Sequence, residues 1–288
     1  MRFKFILNKL FYKVFNRLKL IKINIIKSYY KITVLINLRT EIKPCILCEN
    51  NKEFSLLFKN DRYNLPIKIQ RCNKCNLVTI RPTPTSKFVN KFYSSRMYRG
   101  LYMGVLKPPK LYLNEAFNRA KKHVFFIRKF IKRKNIHILD FGCSDGIFLV
   151  EFKREYNLSK LYGLEPSNNF LGHCERYIDE IYKDIYNIPK NKKFDIVTLW
   201  HVLEHLLDPI KTLSKLKHHL KKDSLLFIEV PDFNRAIGLK NIHIGHLYYF
   251  DRKTIKQVLE KAGFHIIKIY YDNLADNKFG MKIVAKIK

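Results

Sequence analysis

The stretch Ile136 to Gly146, reading Ile-His-Ile-Leu-Asp-Phe-Gly-Cys-Ser-Asp-Gly, constrains the fold of this chain more than any other. A short apolar run of Ile136, Ile138 and Leu139 ends in Asp140, and Gly142 and Gly146 frame a turn. Beyond it, Ile147, Phe148, Leu149, Val150 and Phe152 have helical character. Strand, glycine turn and helix is how an open α/β sheet builds a ligand crevice at the carboxyl ends of its strands. Glycine suits that turn because a side chain would hold the ligand away from the backbone. The predicted fold class is therefore α/β, a Rossmann-like doubly wound and mostly parallel sheet.

The charges around the turn narrow the ligand. A dinucleotide fingerprint, G-x-G-x-x-G, lets a pyrophosphate approach at its second glycine and sit on a helix N-terminus. Ser144 occupies that position here, and Asp140 and Asp145 flank it. Carboxylates repel phosphate and suit a ligand with an ammonium group and hydroxyls, which points away from NAD and towards S-adenosylmethionine. Residues 137–146 resemble the first motif of class I S-adenosylmethionine-dependent methyltransferases. Leu161-Tyr-Gly-Leu-Glu165-Pro166-Ser167 resembles their second strand, Phe194 to Pro209 their fourth strand with the helix after it, and Leu225 to Pro231 their fifth. The resemblance covers roughly residues 111–288 and implies a seven-stranded sheet. It implies cofactor contacts from Asp140, Gly142, Cys143, Ser144, Asp145 and Gly146. Glu165 would hold the ribose, with Pro166 and Ser167 beside it, and it stands 23 residues after Gly142, one βαβ unit away. Asp184 and Ile185 would meet the adenine, and Trp200 and His201 would close the fourth strand against the cofactor.

Three segments organise the chain: a basic extension over 1–40, a cysteine module and linker over 41–110, and the methyltransferase domain over 111–288. Residues 1–40 hold ten Lys or Arg and no acid, with Phe3, Ile6, Leu7, Leu10, Val14, Leu18, Ile21, Ile25 and Tyr29 at helical spacing. A basic amphipathic helix of this kind can lie on an anionic membrane, each basic residue contributing about 1 kcal/mol. The net charge of +32 would also suit a nucleic acid, but lysine is spread over nearly the whole length, which fits compositional drift better. No signal peptide and no run of about 18 uncharged apolar residues is evident, so a cytoplasmic chain, peripheral on the inner membrane face, is expected.

Cys45-Ile-Leu-Cys48 and Cys72-Asn-Lys-Cys75 form two C-x-x-C pairs 23 residues apart. Each pair can bend around one ion, and two pairs complete a tetrahedral structural zinc site of about 10 kcal/mol. Gln70 to Val78, Arg81-Pro-Thr-Pro84 and the aromatics Phe92, Tyr93 and Tyr98 resemble the zinc-binding amino-terminal module of sugar C-methyltransferases and related glycan methyltransferases. That resemblance implies that Tyr93 or Tyr98 reaches the active site. The full sugar C-methyltransferases carry a further carboxy-terminal domain for which this chain is too short. Pro108-Pro109 marks a linker, and Cys174 reads as a buried small residue.

His201, Glu204 and His205 come after the fourth strand; read as a helix, the two histidines share a face, and Glu204 and His205 would fix the helix start and domain contacts. A later loop reads Asn241-Ile-His243-Ile-Gly-His246-Leu-Tyr-Tyr-Phe250. His246 matches the histidine that serves as base in sugar C-methyltransferases, but Gly245 stands where their glutamate would be, so the base lacks that polarising partner. A base is needed because the acceptor hydroxyl must lose its proton, work suited to histidine and worth about 10²–10⁴-fold. The candidate catalytic residues are His246, His201 and Tyr98. The reaction expected is methyl transfer from S-adenosylmethionine to a hydroxyl of a sugar or glycan precursor. Alternatives are a membrane-borne quinone or phenol, an RNA, and a binding protein without turnover.

Overall fold

The computed structural model of the chain describes residues 2–105, 110–167, 175–235, 242–271 and 280–288, with side chains omitted for 2–16, 110 and 111. The Pro108-Pro109 linker, Cys174 and Asn241 lie outside the described residues. So do the side chains of Phe3, Ile6, Leu7, Leu10 and Val14.

The carboxy-terminal part is a seven-stranded sheet. In chain order its strands are β6 (His137–Phe141), β7 (Lys160–Leu164), β8 (Glu180–Tyr182), β9 (Phe194–Trp200), β10 (Leu220–Pro231), β12 (Phe264–Tyr271) and β13 (Gly280–Ile287). They lie in the order β12-β13-β10-β9-β6-β7-β8. The pairs from β10 to β8 are parallel, and β13 runs antiparallel to both its neighbours. β6 and β9 are apolar and buried along nearly their whole length, as strands covered on both faces must be. Helices α4 (Lys110–Arg128) and α5 (Ile147–Glu155) cover one face through Ala120, Ile127, Leu149 and Phe152. On the other face, Leu213 and Leu216 of α6 (Pro209–Lys217) and Ile255, Val258 and Leu259 of α7 (Arg252–Lys261) join the second core. The α7 start carries a capping box, Asp251 with Thr254.

The amino-terminal part holds α1 (Arg2–Asn37), β1 (Thr40–Glu41), β2 (Phe54–Phe58), β3 (Ile69–Cys72), β4 (Val78–Ile80), β5 (Thr83–Pro84), α2 (Ser86–Ser94) and α3 (Met97–Met103). Strands β2, β3 and β4 form an antiparallel sheet that a fourth strand, β11 (Tyr248–Tyr249), completes at the β4 edge. That last strand comes from the loop bearing His243 and His246. The cysteine module and the far end of the chain thus share backbone hydrogen bonds. Asp61 deepens the connection: buried at 1% exposure, it accepts from the N–H groups of Tyr63, Leu65 and Ile244.

The extension is not detached. Tyr30 and Ile23 of α1 lie against Gly100 and Gly104 of α3, where a Cβ would come within 2.1 Å and 2.6 Å of them. No helix among the described residues is long and apolar enough to cross a membrane.

Candidate functional site

The glycine turn sits at the carboxyl end of β6, between β7 and β9. Gly142 and Cys143 donate their N–H groups to the carbonyl of Leu164 at 2.7 and 3.1 Å, which pulls the turn over the end of β7. Gly142 has φ +78°, and a Cβ there would meet Val202 Cγ2 at 2.6 Å. Ser144 is also left-handed, at φ +52°. The carboxylates expected from sequence converge around this turn. Asp140, 3% exposed, accepts from Thr198 Oγ1 at 2.6 Å. Burial pushes its carboxyl up to about 7, against the pull of that hydroxyl. Glu165 accepts from the N–H groups of Ser144 at 3.1 Å and Ser167 at 2.9 Å. Burial raises its carboxyl and that of Asp145 as well. Such groups are under-solvated in the free crevice and gain from a cationic or hydroxyl-bearing ligand.

Other predicted contacts are less direct. Cys143 turns its thiol into the protein, against Gly163, leaving its backbone for the crevice. Pro166 is exposed. Asp184 is exposed and accepts from Tyr186 N–H at 3.0 Å, capping the turn that Ile185 begins. Trp200 stacks on His123 of α4 at 4.0 Å between ring centroids, and its buried Nε1 has no hydrogen-bond partner among the described residues.

Beyond β9, His201 takes φ +54° and only a single 3-10 turn, Leu203–His205, comes next; α6 starts later, with Asp208 as N-cap. His201 and His205 are therefore not on one helix face, and Glu204 does not start a helix. The imidazole of His201 lies 3.3 Å from Glu204 and 3.5 Å from Glu229. Burial disfavours its charged form, but the two carboxylates outweigh this and raise its pKa to about 10. These contacts favour the imidazolium form of His201, whose side chain is 44% exposed. Glu229, bonded also to His123 at 2.7 Å, is held well below the usual carboxylate range, these imidazoles outweighing its burial.

The second cluster gathers on the 242–246 loop. His246 Nε2 lies 3.9 Å from Glu204 Oε1, and its side chain is 12% exposed. Its ring centroid is 3.8 Å from His243 and 4.8 Å from His205. Burial, reinforced by neighbouring imidazoles and Arg62, holds His243 and His246 well below the ordinary histidine range, so both are neutral. Tyr93 of α2 reaches in from the cysteine module: its hydroxyl donates to the Gly245 carbonyl at 2.8 Å and lies 2.8 Å from His205 Nδ1. Tyr98 stands behind, 5.2 Å from the Tyr93 ring and 6.3 Å from that of His205. The glycine where a glutamate was expected has a reason. A Cβ at Gly245 would come within 3.0 Å of both His243 Nδ1 and Tyr93 Oη. A carboxylate does stand beside His246: that of Glu204, 3.9 Å away, from the 3-10 turn beyond β9. Glu204, Asp61 and the particular role of Tyr93 are not legible in the sequence, because each depends on segments far apart in the chain.

The cysteine site repeats one local geometry twice. In each pair the residue four after the first cysteine, Glu49 or Asn76, is left-handed (φ +58° and +68°) and donates its N–H to that cysteine's carbonyl at 2.8 or 2.9 Å. The four Sγ atoms lie within 4.8 Å of one another, with Cys45–Cys75 at 3.4 Å and Cys48–Cys72 at 3.5 Å. Burial pushes the Cys72 thiol up, but Asn50 Nδ2 at 3.2 Å and nearby N–H groups outweigh it and bring the pKa down to about 6. Four thiols at this spacing fit a tetrahedral ion with bonds of about 2.3 Å.

A family model described as a methyltransferase domain matches residues 112–269, more than half of the chain. The chain belongs to this methyltransferase family. It is an S-adenosylmethionine-dependent methyltransferase, with the sheet order and crevice just described. Among its relatives, a tRNA U34 carboxymethyltransferase of Campylobacter jejuni is 28% identical over 143 residues, 44% of this chain and 48% of that protein. An uncharacterized methyltransferase of Schizosaccharomyces pombe is 32% identical over 126 residues, 38% of this chain and 45% of that protein. The methyltransferase spans about half the length of these curated relatives. Its fold is similar to that of magnesium protoporphyrin IX methyltransferase from Synechocystis, solved with S-adenosylhomocysteine bound. The TM-score is 0.52 at 14% identity, covering 71% of this chain and all of that one. A mitomycin 7-O-methyltransferase gives 0.51 at 12% identity, covering 67% of this chain and 57% of that one.

Proposed function

We propose that the methyltransferase moves the methyl group of S-adenosylmethionine to a hydroxyl of a sugar or glycan precursor. The observation that carries this is the buried His246 beside Glu204, a residue two positions on from the Val202 that lies against the glycine turn. The sulfonium methyl is already activated, so the protein must align the acceptor and remove its proton. Alignment is worth roughly 7–11 kcal/mol relative to free encounter. The acceptor hydroxyl donates to His246, whose developing charge Glu204 balances; its oxygen then attacks the methyl carbon and the C–S electrons return to sulfur. Asp140 and Asp145 would face the methionyl ammonium, and Glu165 the ribose hydroxyls. Tyr93 and Tyr98 shape the acceptor side. The test is turnover with labelled cofactor on glycan and lipid-linked sugar fractions. His246→Gln should lose about 10²–10⁴-fold in kcat while cofactor affinity stays unchanged. A variant as active as the parent would remove His246 from the chemistry.

A second reading, an RNA acceptor, is favoured by the tRNA-modifying relatives. Labelling of an RNA fraction, with binding that weakens steeply as salt rises, would establish it in place of the sugar.

Zinc in the four-cysteine site is supported by the paired turns and thiol spacing, and its role would be to hold the module together. The extension supports docking on an anionic membrane. Leu18, Ile21, Ile25, Tyr29, Ile32 and Ile36 recur at helical spacing and are 47–66% exposed, while Tyr30 and Val34 face the module. A second copy would bring basic residues with no acid to pair them, since 1–40 has none. Full-length protein should pellet with phosphatidylserine vesicles and less with neutral ones; equal pelleting after deletion of 1–36 would end the idea.

A further inference from the structure

We propose that Glu204, His205 and His246 form a divalent-cation site on the acceptor side of the crevice. One donor atom from each of these three lies within 4.8 Å of the others. Donors around one such ion stand roughly 3–4 Å apart, so small rotamer shifts close the site. Two further observations point to a ligand. Glu204 is 1% exposed, and its Oε2 is buried with no hydrogen-bond partner among the described residues. His201 meets only the other oxygen, Oε1, at 3.3 Å, and a buried carboxylate oxygen left unpaired is costly. His205 Nδ1 lies 2.6 Å from the Gly245 carbonyl, an oxygen that only accepts. That contact, with Tyr93 Oη also 2.8 Å from Nδ1, favours the proton on Nδ1, and Nε2 is the nitrogen the proposal gives to the ion. An imidazole fixed by a backbone carbonyl in this way is the usual second layer of a metal ligand.

Two imidazoles and one carboxylate suit a first-row divalent ion such as Mn²⁺, Fe²⁺ or Zn²⁺, and leave coordination positions open. The proposal rests on the reading that the acceptor hydroxyl docks at His246, and alters only how its proton is removed. As a ligand of the ion the hydroxyl becomes acidic enough to release its proton to water. The oxygen then forms the bond to the methyl carbon, and the S–CH₃ electrons return to sulfur. An acceptor with two neighbouring oxygens, a vicinal diol, would chelate the ion and be oriented by it.

The experiment is a titration of the full-length protein, prepared with one zinc per chain, with Mn²⁺ alone, monitored by electron paramagnetic resonance and calorimetry. No acceptor is present, so the result is independent of the sugar reading. One Mn²⁺ per chain is expected, weakened at least 30-fold in both Glu204→Gln and His205→Ala. Zinc content and S-adenosylmethionine binding of each variant report that it remains folded. No Mn²⁺ binding, or binding that both folded variants retain, overturns the proposal. So does full, His246-dependent turnover by protein stripped of all metal but its zinc, which would leave the imidazole as base. Loss of sugar methylation with Mn²⁺ binding intact would instead overturn the acceptor and leave the cation site standing.

Discussion

Asp140 shows how much a single residue carries. The sequence marks it as the acid closing an apolar strand before a glycine turn; the structure adds its 3% exposure and the Thr198 hydroxyl. Burial raises its pKa to about 7, so the free crevice holds a proton there below neutral pH. In the proposed placement the cofactor's ammonium faces this carboxylate, so binding would expel that proton. Affinity is therefore full above about pH 7 and falls as pH drops through it. Calorimetry should find S-adenosylmethionine binding about tenfold weaker at pH 6 than at pH 8, and flat in Asp140→Asn. Glu204 is the opposite case. Its sequence neighbourhood, His-Val-Leu-Glu-His, suggests a helix face, and nothing local reveals that it lies beneath a histidine 42 residues onward.

At the scale of elements, most of the sheet was legible because strands buried on both faces are continuous apolar runs. The strand ending in Trp200 and the one ending in Pro231 fall where the family resemblance puts them. The segment after β9 does not. Three residues of helical spelling yield one 3-10 turn because Asp208-Pro209, an N-cap with a first-turn proline, begins the helix later. That signal was present and outweighed by the spacing of two histidines. The β6–α5 turn depends on Gly142 at φ +78° against Val202. Gly142→Ala forces a left-handed alanine, which costs about 1–2 kcal/mol, and a clash at 2.6 Å. Thermal melting should show the lower stability and cofactor titration a loss of at least tenfold; unchanged values in both would mean the turn is slack.

For the molecule as a whole, the cysteine module and the acceptor loop are one construction. β11 pairs with β4, Asp61 holds Ile244, and Tyr93 holds Gly245 and His205. Losing the module's ion should therefore disable the acceptor side before the cofactor side. Cys72→Ser is expected to lose zinc by elemental analysis and at least 100-fold in turnover, with S-adenosylmethionine affinity changed less than threefold. Equal loss of both would mean that the module supports the whole sheet. What the sequence determined by itself was the cofactor fold, its glycine turn and the two paired-cysteine turns, since each is encoded within a few neighbouring residues or in short-range periodicity. What only the tertiary structure decided was the acceptor site. Its carboxylate, imidazoles and phenol come from the end of β9, a loop beyond β10 and a helix of the module, and no local pattern records that three such distant segments fold against one another.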